Sequence, residues 1–303
     1  MPTLPPAPAP AASPRWSVER RLDFIASRLK WEGRINRFDL VGRFGVSPNQ
    51  ATADLRRFGD LHPGALTYDP RGKTYRAGVA PSALSAADAR ALLRELRLIA
   101  EGVLGVGDGV LSAPPAAEIA EPPDRAAPPQ VLAVVVAAIR EGRAMEAAYQ
   151  SFSSPSPSRR RLEPHALVFD GFRWHARARD VDEDRFRDFV LGRLSEASLA
   201  GSAAPGAALD REWNERVELT IAPHPGLALH QRAAIAADYG MTEARLVLTP
   251  RAAVAYYLKR RLGLTPGHEA RAPADQHVVL VAERPLEAAD GALPASRDLS
   301  QNG

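Results

Sequence analysis

An α+β protein of several domains is what this 303-residue sequence predicts, and three observations carry the prediction. Residues 16–78 hold apolar positions at helical spacing, then two short alternating runs around a turn. Residues 143–200 change to period two and read as four or five strands. From Arg216 onward, strand-like and helix-like stretches alternate, as in a small α/β layer.

Taken in order, residues 1–14 contain six prolines and read as a disordered tail. Residues 15–80 form the first expected domain. Val18, Leu22, Ile25 and Leu29 share one face of a helix ending near Gly33. Asn36 can cap a short second helix carrying Phe38, Leu40 and Val41, and Phe44-Gly45-Val46 is a tight turn. Ser47-Pro48-Asn49-Gln50 then supplies an N-cap, a proline at the first helical position and a capping-box glutamine. Ala51, Leu55 and Phe58 fall on the inner side of this third helix, and Asn49, Ala53, Arg56 and Arg57 on the outer. Short helix, turn and capped helix with a polar outer face is a helix-turn-helix pattern. Leu66-Thr67-Tyr68 and Thr74-Tyr75-Arg76 flank Asp69-Pro70-Arg71-Gly72-Lys73, a hairpin with a basic tip that makes the motif winged.

Double-stranded DNA is the partner this domain predicts. Asn49 and Gln50 can read adenine edges, and Arg56 and Arg57 can read guanine or hold phosphate. Arg71 and Lys73 suit the backbone or the minor groove, and Arg34, Arg37, Ser47 and Thr52 complete the expected DNA-facing set. The charge distribution agrees. Residues 15–76 carry thirteen Lys/Arg against seven Asp/Glu, while the whole chain is only +3. Arginine count alone means little here, because only three basic residues are lysine and the chain is rich in Ala and Pro.

Residues 81–142 are expected to be a helical connector. Ser85 opens a helix with Asp88 as capping-box partner and Leu92, Leu96 and Ile99 on one face. Residues 112–129 hold six more prolines and read as a linker, and Val131 to Ile139 is a short buried helix. In the last third the expected elements are strand Val217–Ile221, helix Leu227–Asp238, strand Arg245–Leu248, helix Ala252–Arg261 and strand His277–Val281. This domain spans 213–285, and 286–303 is a flexible tail.

Several function classes are excluded. No cysteine is present, so disulfides and thiolate–zinc sites are ruled out and a reducing cytoplasm is expected. No apolar run approaches a membrane span, and the N-terminus lacks the features of a secretory signal. There is no Gly-rich phosphate loop, no His-Glu-x-x-His and no Gly-x-Ser-x-Gly elbow, and the seven histidines lack metal-ligand spacing. No catalytic residue, metal or cofactor is expected. The alternatives are a nucleic-acid-processing accessory factor acting on RNA or single-stranded DNA, and a winged-helix protein adaptor.

Gly171 to Leu194 alternates like two strands, with Arg173, His175, Arg177 and Arg179 on one face and Trp174, Ala176 and Ala178 on the other. A five-residue turn from Asp180 to Asp184 would set Arg179 opposite Arg185 and Arg177 opposite Arg187. Like charges so placed are destabilising and invite an anion. A slip of one residue would instead oppose the Arg face to Phe186, Asp188 and Val190. Burial of Trp174 with Phe186 favours the first register. The plain alternative is a solvated face neutralised by Asp180, Asp182, Glu183 and Asp184.

Trp31-Glu32-Gly33-Arg34-Ile35-Asn36-Arg37, the helix at Ser47 and the hairpin ending Lys73-Thr74-Tyr75 resemble the winged helix of WYL-type bacterial transcription regulators. Tyr149-Gln150-Ser151, Arg161-Leu162-Glu163-Pro164-His165, Arg173-Trp174-His175-Ala176-Arg177 and Arg185-Phe186-Arg187-Asp188-Phe189 are similar to a WYL domain. Ala222-Pro223-His224-Pro225 through Tyr256-Tyr257-Leu258 resembles the C-terminal extension that follows it. Trp174-His175-Ala176 stands where many members have Trp-Tyr-Leu, a form similar to regulators of BREX and CBASS phage-defence operons. The resemblance implies a small Sm-like β-barrel over residues 143–205. It also implies a homodimer formed by the C-terminal domain on a palindromic operator. The implied effector is a nucleotide or single-stranded nucleic acid that releases the regulator from DNA by binding a basic groove of Tyr149, Ser151, Arg161, His165, His175, Arg177, Arg187 and Arg193.

Overall fold

The computed structural model describes residues 17–78, 89–120, 123, 125, 127–203 and 206–286. These fall into two compact units, divided between Glu121 and Pro122.

In the first unit, α1 (Val18–Glu32), α2 (Arg37–Phe44) and α3 (Pro48–Leu61) surround one apolar core. Ile25, Leu29, Leu40, Ala51, Leu55 and Phe58 are essentially inaccessible, as their spacing requires. Ser17 caps α1, and Gly33 ends it in the left-handed conformation (φ 70°). Asn36 and Asp39 form a capping box on α2. Ser47 caps α3 by accepting the Gln50 amide at 3.2 Å. The expected capping box on α3 is not formed, because the Gln50 side chain donates instead to Asp54 at 3.0 Å. The wing is a three-stranded sheet in which β1 (Arg34–Ile35) and β2 (Leu66–Asp69) flank β3 (Thr74–Ala77). Asp69 shapes its tip by accepting the Arg71 and Gly72 amides.

The proposed cap at Ser85 and Asp88 lies outside the described residues. Beyond it, α4 (Ala89–Ala100) has no buried residue. The expected linker, 112–129, is tethered at its first residue and by the two residues before it. Val110 donates to Glu95, Leu111 is buried, and the Ser112 hydroxyl is held between the Glu32 oxygens at 2.9 and 3.0 Å.

The second unit contains two sheets. α5 (Pro129–Glu141) packs across β4 (Arg143–Tyr149), β5 (Ser158–Phe169) and β8 (Leu194–Ala203). With β6 (Trp174–Asp180) and β7 (Arg185–Val190) these strands form an antiparallel sheet of order β7-β6-β5-β4-β8. The order has two ends. The closed small barrel that the resemblance implied is therefore not formed by strand pairing among the described residues. After α6 (Arg211–Asn214), a second sheet of order β10-β9-β11 is built from β9 (Arg216–Pro223), β10 (Leu246–Leu248) and β11 (Val278–Leu286). α7 (Leu229–Asp238) and α8 (Ala252–Arg261) complete it around Ile221, Leu264 and Val278. The residues beyond 286, expected to be a tail, lie outside those described.

The β6–β7 hairpin corrects the favoured register. Asp180 pairs with Arg185, leaving a four-residue turn, so Arg177 faces Asp188 and Arg179 faces Phe186. The physical cause is Asp180. Its carboxylate accepts the Asp182 and Glu183 amides, and Asp184 takes up a left-handed conformation (φ 48°) that closes the turn one residue early. Every expected like-charge pair is removed. Trp174, expected in the core, is 49% exposed. Ala176 and Ala178 of the same strand enter the apolar core instead.

Candidate nucleic-acid interface and buried arginine network

The outer face of α3 is open. Asn49, Gln50, Arg56 and Arg57 are exposed, as are Arg34, Arg37, Ser47, Arg71 and Lys73. Thr52 is half-buried, and its hydroxyl donates back to the Pro48 carbonyl at 2.9 Å. Beneath this face Asp54 is 1% exposed and is gripped by the Arg21 guanidinium at 2.6 and 3.2 Å. That pair pins α3 to α1. A two-pronged carboxylate–guanidinium contact fixes direction as well as distance, so the outer side chains are carried on a rigid rod. Gln50, bonded to Asp54, is less free to read a base than Asn49. At the wing, Lys73 sits at φ 47° beside the exposed Arg71.

In the second unit the eight residues expected in one groove are distributed over separate places. Tyr149 lies edge-on to Phe189 (5.1 Å), Ser151 bonds Ser153, and Arg193 stacks over the exposed Phe152 at 3.8 Å. Arg187 is an ion-pair partner of Glu183 at 2.7 Å, and Arg161 is exposed on β5. The remaining three, His165, His175 and Arg177, are interior.

Arg177 is 3% exposed. It donates to both oxygens of Asp210 (2.7 and 2.9 Å) and to Glu212 (2.8 Å), with Asp188 at 3.5 Å. The expectation of an unfilled arginine face is corrected here, since α6 and its N-cap residue Asp210 cover it and supply its anions. Asp210 also bonds His165 at 2.9 Å. His165 reaches it because the β5 register shifts between Pro164 and Ala166, leaving His165 as the extra residue of a bulge. On the other side, Tyr257 of α8 donates to Asp188 at 2.8 Å and lies against His175 (5.1 Å), which bonds Asp170 at 3.0 Å. A chain of buried polar contacts thus runs from His165 to Asp170 and ties the first sheet to α6 and α8.

The electrostatics follow from this enclosure. Burial disfavours the charged form of Arg177, but its bonds to Asp210 and Glu212 outweigh that and hold its pKa above the ordinary arginine value. Burial would raise Asp210, yet Arg177 and His165 pull it below the usual carboxylate range. Burial would likewise raise Asp170. The bonds from His175 and the Phe172 and Arg173 amides prevail and lower it to about 2. Burial and the adjacent Asp188 carboxylate push the Tyr257 hydroxyl upward, so it remains a donor.

The partners in this network were missed by sequence reading. Asp210 carried a usable signal as a cap before a short helix, followed at once by Arg211-Glu212-Trp213. Tyr257 carried none beyond helical spacing, and Asp188 appeared only opposite the Arg face in the disfavoured register.

A winged helix-turn-helix followed by a WYL-type sheet and a small α/β domain defines a class of bacterial transcription regulators. Three family descriptions match in that order: the BrxR transcriptional regulator winged helix-turn-helix domain over residues 17–94, the WYL domain over 130–199, and the BrxR C-terminal dimerization domain over 216–286. The DNA-binding transcriptional repressor CapW of Stenotrophomonas maltophilia is 38% identical over 268 residues, covering 88% of this chain and 90% of that protein. CapW of Escherichia coli is 36% identical (86% and 87%), and CapW of Pseudomonas aeruginosa 37% (82% and 84%). The chain belongs to this BrxR/CapW family of WYL-domain transcriptional repressors. The family is non-enzymatic, and the nucleic-acid-processing alternative falls away. No helix of the described residues is long and apolar enough to cross a membrane.

Proposed function

We propose that this chain is a homodimeric repressor of a phage-defence operon, released from its operator when a nucleotide or single-stranded nucleic acid binds the second unit. The observation that carries the reading is the exposed outer face of α3, with Asn49, Arg56 and Arg57 held on a helix braced by Arg21 and Asp54. Asn49 suits an adenine edge, the two arginines suit guanine or phosphate, and Arg34, Arg37, Arg71 and Lys73 suit the flanking backbone. The match to a dimerization domain and the repressor relatives support symmetry, and a two-fold dimer reads a palindrome. Release is linkage. An effector that prefers the DNA-incompetent arrangement weakens operator affinity by its differential affinity for the two states.

Arg56→Ala with Arg57→Ala tests this. In a gel-shift titration against DNA from the protein's own promoter region, affinity should fall by about tenfold or more. The salt dependence should become shallower by about two contacts, with the unfolding midpoint unchanged. Unaltered affinity would refute the assignment of α3.

A further inference from the structure

The second unit contains a cavity of about 400 Å³ outside the WYL-motif residues expected to bind ligand. Such a volume accommodates a small organic molecule. Three elements build it. α8 contributes Tyr257, Arg260 and Arg261, one helical face at spacings of three and four. The turn between β5 and β6 contributes Asp170, Phe172 and Arg173, and Arg125 comes from the segment before α5.

Four arginines therefore line the cavity beside a single carboxylate. That carboxylate is already committed, to His175 at 3.0 Å and Arg173 at 3.3 Å. Among the described residues, Arg125, Arg260 and Arg261 have no ion pair or side-chain hydrogen bond. The sheet arginines Arg160, Arg177, Arg179, Arg185 and Arg187 differ in each being matched to a carboxylate. Arginines without carboxylate partners lining one concave site call for an occupant with several negative oxygens. Phe172, 56% exposed, adds a planar apolar face. The turn is shaped for the arginine: Gly171 has φ 99°, and a Cβ there would lie 3.1 Å from Arg261 Nη1.

We infer that this cavity is the effector site, with phosphate oxygens held by Arg125, Arg260 and Arg261 and a nucleobase stacked on Phe172. The inference rests on reading the chain as an effector-released repressor. It also gives release a physical route. Tyr257 belongs both to the cavity wall and to the buried chain through Asp188 and Arg177 to Asp210. An occupant that shifts α8 changes the contacts that hold α6.

The chemistry is shared by a free nucleotide and the phosphorylated end of a short strand, and calorimetry separates them. The full chain carrying Arg56→Ala and Arg57→Ala, which removes competition from α3, is titrated with ADP, adenosine, inorganic phosphate and a 5′-phosphorylated thymidine dinucleotide. Binding of ADP or of the dinucleotide is expected. Adding Arg260→Ala and Arg261→Ala should weaken it at least about tenfold, while Phe172→Ala should weaken the base-bearing probes and spare inorganic phosphate. Both arginines are exposed, so folding should be unaffected. The cavity is refuted if neither nucleotide binds, if the arginine variant binds them equally, or if adenosine binds as well as ADP. A separate titration with α3 intact distinguishes the two readings. An Arg260→Ala/Arg261→Ala protein still released from the operator by the same probe overturns the cavity alone. A wild-type chain that binds no operator overturns the repressor reading, whatever the calorimetry shows.

Discussion

Arg177 shows how a charged side chain becomes interior without being a receptor. Its guanidinium is matched to Asp210 and Glu212, and Asp188 stands opposite it across the hairpin. Breaking a buried pair by removing one partner leaves an uncompensated charge, so Arg177→Ala or Asp210→Ala should each cost about 3–5 kcal/mol. Urea unfolding of both single variants and the double variant checks this. A double variant less destabilised than the two singles together shows direct coupling, and purely additive losses would contradict the pairing. Asp170 supplies a pH signature. Its folded pKa of about 2 lies below the ordinary 3.8, so its contribution is complete above about pH 4 and lost as pH falls toward 2. Wild-type stability should fall by on the order of 2 kcal/mol more than Asp170→Asn across that window. Urea midpoints at several pH values measure it, and parallel curves would contradict it. Arg177 and His175 were visible in the sequence on one alternating face, and Asp188 opposite them in the disfavoured register, but Asp210 and Glu212 were not. Strand parity says which side chains share a face. It cannot say that a helix whose N-cap lies 33 residues beyond Arg177 folds over that face.

Among the elements, the start and inner face of α3 were legible because their signals are local, although Gln50 bonds Asp54 rather than completing a capping box. Ser47, Pro48 and the spacing of Ala51, Leu55 and Phe58 set its start and its inner face without help from the rest of the chain. Ser47→Ala should therefore cost about 1 kcal/mol by removing the cap on the Gln50 amide. Thermal unfolding of the winged-helix unit reports it, and an unchanged midpoint would mean the cap is not the device that starts the helix. The β6–β7 register was harder. Two registers differing by one residue exchange both faces, and the choice turned on whether Trp174 was core. Strand parity suggested burial, but only Ala176 and Ala178 of that face enter the apolar core, and Trp174 is left 49% exposed against Phe169. The elements from Arg216 onward were anticipated in type and order. Only β11 ran well past its expected end, to Leu286, through a bulge between Leu280 and Ala282.

On the scale of the whole molecule, positive charge is concentrated where DNA is to be met, with thirteen basic and seven acidic residues between Arg15 and Arg76 in a chain of net +3. The second unit neutralises most of its sheet arginines internally, whereas the first pairs Arg21 and Arg28 inside and leaves the arginines of the outer α3 face exposed. A dimer built through the C-terminal domain would present two α3 faces related by a two-fold axis. Their half-sites would then lie about one helical turn of DNA, or a multiple of it, apart. Footprinting of the purified protein on DNA upstream of its own gene tests this most directly. Two protected half-sites related by a dyad are expected, both lost in the Arg56→Ala/Arg57→Ala protein. Protection of a single asymmetric stretch, or an identical footprint from the double variant, would contradict it.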